Sequence, residues 1–269
     1  MNFNWSEWLN LLVRWVHVFA GILWIGQTFF FAWLDRRLSA EEKSSPQGEA
    51  RVWMVHSGGF YAVGKAGSQQ VVPGRLRWFR WEAALTWLSG MVLLLLVYYH
   101  GGALIDTHIA DIGLGTGAAI GLGVLVLAWP AYDLLWLSPL GKNQLLGALV
   151  SYLLLVGVIY GLTQVLSARA AYIHVGALLG TLMAANVWMR ILPAQRRMVS
   201  AIKEGKAPDP VLAARAKQRS KHNTYMVVPV VFIMISNHFP GTYGDPYNWV
   251  LLAVLILAGS GAAHLLRRT

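Results

Sequence analysis

Seven stretches of mostly apolar residues run along the chain, at about 9–34, 81–100, 112–137, 144–166, 170–192, 222–238 and 247–266. Polar segments carrying glycine, proline and charge separate them. A backbone in hydrocarbon must satisfy its own hydrogen bonds, so each stretch is expected to be a membrane-spanning helix. Pro130 and Pro229 are expected to kink the third and sixth spans. The expected architecture is an all-α, polytopic transmembrane helix bundle, a single membrane domain over 1–269. Two connectors stand out. Segment 36–80 is longer than a simple connector should be and holds His-Ser-Gly-Gly-Phe-Tyr-Ala-Val at 56–63, so it reads as an ordered cap with room for a short hairpin. Segment 196–221 reads as a break followed by a polar helix from about 209 to 221.

Composition supports the membrane reading. The 269 residues are 56% hydrophobic and only 13% charged, against roughly 25% charged in soluble domains. There is no cysteine. That excludes disulfides, iron–sulfur clusters, thiolate sites and covalently attached haem c, which needs a Cys-x-x-Cys-His motif. A metal centre here must rest on His, Met, Tyr or carboxylates. The start of the chain, Met1 to Trp8, has no basic region ahead of its apolar stretch, so no cleavable signal peptide is expected.

Charge placement sets an orientation. Of the 22 Lys and Arg, eight lie in 36–80 and nine in 190–221, and Lys142, Arg267 and Arg268 join them on one side of a seven-span topology. The other side keeps only Arg14 and Arg169, beside Glu7, Asp106, Asp111 and Asp245. The positive-inside rule then puts the N-terminus outside and the C-terminus inside. The net charge of +10 is thereby assigned to topology and contact with anionic lipid, not to nucleic-acid binding.

The candidate chemistry is carried by histidines inside spans. His17 lies about two turns inside the outer boundary of the first span, and His174 about one turn inside that of the fifth. Arg14 precedes the first and Arg169 the second. Ionisable groups in hydrocarbon are costly and usually functional. Each histidine has a plain reading, a hydrogen bond to a neighbouring helix. Their shared depth and paired arginines favour a sharper one. His17 and His174 are expected to be the axial ligands of a haem b, with Arg14 and Arg169 pairing its propionates. Ala20, Gly21, Gly176, Ala177 and Gly180 would let a flat macrocycle approach the backbone.

A second set lies near the inner boundary. His56 and His222, with Arg75, Arg77 and Arg80, are expected to hold a second haem or to line a substrate or quinone pocket. Interfacial histidines in polar contacts are the plain alternative. His238 is read as a helix C-terminal cap, with a redox-site residue as the alternative, and His100, His108 and His264 as structural.

Two stretches carry a family resemblance. Trp15-Val-His-Val-Phe-Ala-Gly-Ile-Leu-Trp-Ile-Gly26, continuing to Asp35, resembles the first helix of the membrane domain of bacterial urate oxidases, the urate hydroxylases that carry a cytochrome c tail. Lys221-His-Asn-Thr-Tyr-Met-Val-Val-Pro229, continuing to Pro240, is similar to the sixth-helix motif of that family. The resemblance extends through the His-Ser-Gly-Gly-Phe-Tyr element. It implies a multi-span protein of the bacterial inner membrane that passes electrons from a purine-type substrate such as urate toward cytochrome c. This sequence lacks the cysteines of a haem c and ends on the inner side, so a separate cytochrome c or another respiratory subunit is the expected acceptor. The alternative function is a non-catalytic membrane anchor in a larger redox complex. A transporter is disfavoured, because no paired broken helices recur in two matching halves.

Overall fold

The computed structural model describes residues 4–44, 50–65 and 76–268; Arg75, one of the arginines assigned above to the second site, falls outside them. Helix α1 (Trp5–Ser44) is a single rod of 40 residues, with Glu7 in its first turn and Lys43 in its last, both favourable to the helix dipole. Strands β1 (Arg51–His56) and β2 (Gly59–Gly64) pair antiparallel, with His56 opposite Gly59. Ser57 and Gly58 form the two-residue turn, both at positive φ (49° and 76°), the geometry that matches strand twist. Ala50 and Val52 of this hairpin segment bury themselves with Leu34 and Leu38, so the hairpin is docked on the C-terminal end of α1.

Helix α2 (Trp81–Leu94) runs on through a π-helical turn, Leu95–His100. Helix α3 (Leu114–Leu137) contains Pro130 and is followed by a 3-10 turn, Pro139–Lys142. Helix α4 (Gln144–Thr163) starts at Asn143, whose side chain accepts from the backbone N–H groups of Leu145 and Leu146. Helix α5 (Ala168–Ala185) is capped by Ser167 and continues through a second π-helical turn, Asn186–Ile191, into α6 (Leu192–Lys203). Helix α7 (Pro210–Ser236) starts with Asp209 as its cap and Pro210 in its first turn. A one-turn helix, α8 (Pro240–Tyr243), leads to α9 (Asn248–Leu266).

Six of these are long and apolar enough to cross a membrane: Trp5–Ser44, Trp81–His100, Leu114–Leu137, Gln144–Thr163, Ala168–Lys203 and Asn248–Leu266. The chain is a helical membrane bundle. Helix α7 falls short of that standard because Arg215, Lys217, Arg219 and Lys221 load its first half with charge. The sequence divides this region into a polar helix and a separate span. The structure joins them into one helix, because no glycine or proline interrupts the stretch between Pro210 and Pro229. Likewise the fifth apolar stretch does not stop near 192 but continues to Lys203.

The spans differ in depth within the bundle. In Ala168–Lys203, 56% of the apolar window is buried inside the protein, against 6% in Trp5–Ser44, so α5 is the core rod and α1 lies on the outside. Tyr172, fully buried on α5, donates to the carbonyl oxygens of Thr242 (2.8 Å) and Asn248 (2.7 Å). Close approach elsewhere uses small residues, as is usual between helices in lipid. A Cβ on Gly259 would lie 3.1 Å from the Pro229 ring, so α9 packs directly on the proline of α7.

One end of the bundle collects the basic residues. Asp35 at the end of the apolar part of α1 bonds Lys65 of the hairpin (3.3 Å) and Lys217 of α7 (2.9 Å). Arg36 donates to the carbonyl of Arg267 at the end of α9. Deeper in, Asp133 of α3 is held by Arg190 and by Arg219 of α7 (2.8 Å). Asn186 donates to Asn223 (3.0 Å), which donates to the Met183 carbonyl (2.9 Å).

The buried ion cluster has a measurable asymmetry. Asp133 and Arg219 are almost fully enclosed, at 6% and 4% side-chain exposure, whereas Arg190 is 39% exposed. Asp133→Ala strands the Arg219 charge, and removing one partner of a buried pair costs about 3–5 kcal/mol. Arg190→Gln leaves Asp133 paired with Arg219 and is expected to destabilise far less. Thermal unfolding of the two variants in detergent checks this; equal losses would contradict it.

Candidate functional site

Helices α1, α2, α5 and α7 enclose a cavity of about 410 Å³ at the end opposite the basic cluster, reaching inward as far as Trp24 and Met183. Its wall is mainly apolar, with Arg14, Arg169 and His238 among its few polar groups. His17 enters from α1. Its Nδ1 lies 2.9 Å from the carbonyl oxygen of Thr86, which can only accept, so Nδ1 carries the proton; Ser89 Oγ lies at 3.2 Å from the same atom. Nε2 is therefore left with its lone pair, and among the described residues nothing bonds it. The imidazole comes close against α2 because residue 90 is glycine: a Cβ there would come within 2.9 Å of His17 Cε1. On the facing wall Gly180 has open space where a Cβ would stand.

Arg14 and Arg169 both line this cavity. Arg14 donates to Asn10 one turn earlier. Arg169 has a buried Nε with no partner. Two guanidinium groups beside an apolar slot suit a ligand with anionic substituents on an apolar body. Among the described residues no group of three or more His, Asp or Glu converges as a bare metal site would need. A planar metal macrocycle brings its own equatorial ligands and asks the protein only for axial ones. His17, the glycines and the paired arginines fit that requirement.

His174 is placed differently. It is fully buried but is not part of the cavity wall. Its Nδ1 donates to the Ala170 carbonyl (2.7 Å) and its Nε2 accepts from the Tyr99 hydroxyl (2.9 Å). The ring points at α3, where a Cβ on Gly121 would fall 2.8 Å from Nε2. His17 and His174 are thus not brought together, and Tyr98, which lines the cavity, stands edge-on to His174 at 6.4 Å.

The second expected site is also dispersed. His222 packs on Trp136 (centroids 4.1 Å apart) and its Nδ1 bonds the Tyr132 hydroxyl (2.6 Å). His56 is exposed at the closed end of the hairpin. Arg77 is exposed and pairs with Glu82 at 3.7 Å. Arg80 lies over the Trp81 ring at 5.2 Å. No bond, ring contact or shared cavity joins His56, Arg77 and His222 among the described residues. His238, just past the end of α7, lines the main cavity. His264 bonds and stacks on Tyr225.

Asp133 and its two arginines were missed as a unit. The available signal was a lone carboxylate in an apolar span, three residues after Pro130.

The chain matches the model of a family described as urate oxidase N-terminal, over residues 4–268. Comparison with curated proteins and comparison with solved structures give no match.

Glycines in α3 offer a test of the histidine's enclosure. Gly121→Ala forces a methyl group against Tyr99 and His174, where a Cβ would lie 2.6 Å and 2.8 Å from their polar atoms, whereas Gly123 has nothing within 4 Å. Overpacking of this kind costs about 1–3 kcal/mol, while glycine to alanine at an open helical site is expected to stabilise by about 0.4–1 kcal/mol. Thermal unfolding should therefore shift in opposite directions for Gly121→Ala and Gly123→Ala; a common shift would refute the packing described.

Proposed function

The chain belongs to the urate oxidase N-terminal family, and from that premise we propose that it is a membrane redox protein that holds one haem b between α1, α2, α5 and α7. The observation that carries the reading is His17, with an unbonded Nε2 in an apolar cavity that also contains Arg14 and Arg169. When bound, the haem iron supplies one-electron redox chemistry. His17 would hold the haem iron through Nε2, with the Thr86 carbonyl fixing its tautomer. Arg14 and Arg169 would pair the propionates, filling the vacancy at Arg169 Nε. The apolar wall keeps water from the ring. His174 has both ring nitrogens engaged, so it orders the core and does not serve as the second ligand. Electrons would pass from a purine-type substrate such as urate to a separate cytochrome c.

The same proposal takes the apolar half of α7 as a seventh span, with the N-terminus outside and the C-terminus inside the bacterial plasma membrane. Supporting this, Asp35 and Arg36 of α1 bond Lys65, Lys217 and the Arg267 carbonyl, which gathers residues from four segments at one basic end. A basic end facing the cytoplasm obeys the positive-inside rule.

Two measurements test these readings. The purified full chain should show a reduced-minus-oxidised haem b spectrum. His17→Ala should abolish it, and His174→Ala should retain it wherever the variant remains folded. No haem in the parent protein, or an unchanged spectrum in His17→Ala, overturns the reading. Separately, topology reporters fused at residue 205 and residue 106 should report inside and outside. The same side for both would remove the seven-span topology.

A further inference from the structure

At the basic end a second cavity, of about 320 Å³, opens between the 3-10 turn after α3, the π-helical turn after α5, α6 and the first half of α7. Lys142, Arg190, Arg197, Arg215 and Arg219 line it, and no acidic residue does. Asp133, behind the wall, pairs with only two of these five cations. No acidic side chain pairs with Lys142, Arg197 or Arg215 among the described residues. Cations gathered this closely repel one another unless an anion joins them.

The decisive detail is Arg219. It is 3% exposed. Its Nη2 holds Asp133 (2.8 Å), and the Tyr132 ring lies 4.7 Å from its guanidinium carbon. Its Nη1 is buried and has no partner. A buried, charged donor left unbonded is expensive, and here it belongs to a residue of the cavity wall.

We propose that this cavity binds a phosphate group. A carboxylate offers two oxygens to one or two donors. A phosphate, free or esterified, sets its oxygens tetrahedrally around one centre and not in a single plane, and so matches cations arriving from four separate segments. The cavity mouth is mixed in character: Leu137 and Met189, both lining residues, are 45% and 57% exposed. That apolar side would accept the acyl chain of an anionic phospholipid whose headgroup phosphate sits among the arginines. A soluble phosphate would use the same donors without it. This site is separate from the haem proposal and shares no residue with it.

The test uses the purified full chain in a maltoside detergent, with three probes: phosphatidylglycerol, phosphatidylcholine and inorganic phosphate. Ligand binding to the folded state raises the unfolding temperature in a concentration-dependent way. Phosphatidylglycerol should raise it and phosphatidylcholine should not. Inorganic phosphate acting equally well would identify a soluble source; phosphatidylglycerol acting alone would identify the lipid. The double variant Arg197→Gln/Arg215→Gln should bind about tenfold or more weakly. Both side chains are exposed, so this variant keeps the buried ion cluster intact. Arg196→Gln/Lys203→Gln, outside the cavity, should bind as the parent does. No stabilisation by either phosphate source overturns the proposal, and so does equal weakening by the two double variants.

Discussion

A polar group inside hydrocarbon has no water to fall back on, and each one left unpaired costs several kcal/mol. That constraint organises the interior of this bundle. The buried amide nitrogen of Asn186 bonds Asn223, whose own amide nitrogen bonds the Met183 carbonyl, although the Asn186 amide oxygen has no partner. Tyr172 closes onto two carbonyls. Asp133 is shared between two arginines. Against this background the unpaired atoms carry information. Arg169 Nε and Arg219 Nη1 are both buried without a partner, and each belongs to the wall of a different cavity. Both are cationic donors, so both cavities present themselves to anions. One wall is apolar elsewhere; the other is crowded with charge.

The two intramembrane histidines show how one side-chain type is divided between structure and chemistry. In both, Nδ1 faces a backbone carbonyl and must be the protonated nitrogen. The difference lies entirely at Nε2. At His174 the Tyr99 hydroxyl fills that position, and glycine at 121 lets the ring press against α3. At His17 no donor is present, and glycine at 90 lets the ring lie on α2 beside open space. The Nε2 lone pair of His17 has no partner among the described residues; that of His174 already has one.

Much of the fold was legible because lipid imposes simple rules. Apolar length marked the helices, and the basic segments converge at one end through Asp35 and Arg36. Helix continuity was less legible. The break before 209 and the polar helix after it are legible in the sequence, but as a separate element from the span that starts at 222. The structure runs the two together as one helix, because charge does not break a helix. For the site, Arg14, His17 and Arg169, which the sequence groups by spacing and depth, line one cavity. His174, grouped with them by depth, does not line that cavity, because depth fixes height along the helix but not the direction a side chain faces around it. Asp133 was overlooked since its partners, Arg190 and Arg219, lie far along the chain in segments that read as loop and boundary.

The rod formed by α5, its π-helical turn and α6 joins these observations. Its first part supplies Arg169, Ile173, Gly176, Ala177 and Gly180 to the apolar cavity. Its later part supplies Met189, Arg190, Ala194 and Arg197 to the basic one. An uninterrupted α-helix advances about 100° per residue, so its faces are fixed once its first residue is placed. The π-helical turn at Asn186–Ile191 widens the coil there and re-phases everything after it. The rod can thus present small residues to the apolar cavity and cations to the basic one, without twisting the bundle packed around it. Asn186, at the start of that turn, is fully buried and bonded to Asn223 and the Tyr132 hydroxyl. The re-phasing point is therefore clamped from α3 and α7, and the direction of each cavity wall follows from that clamp.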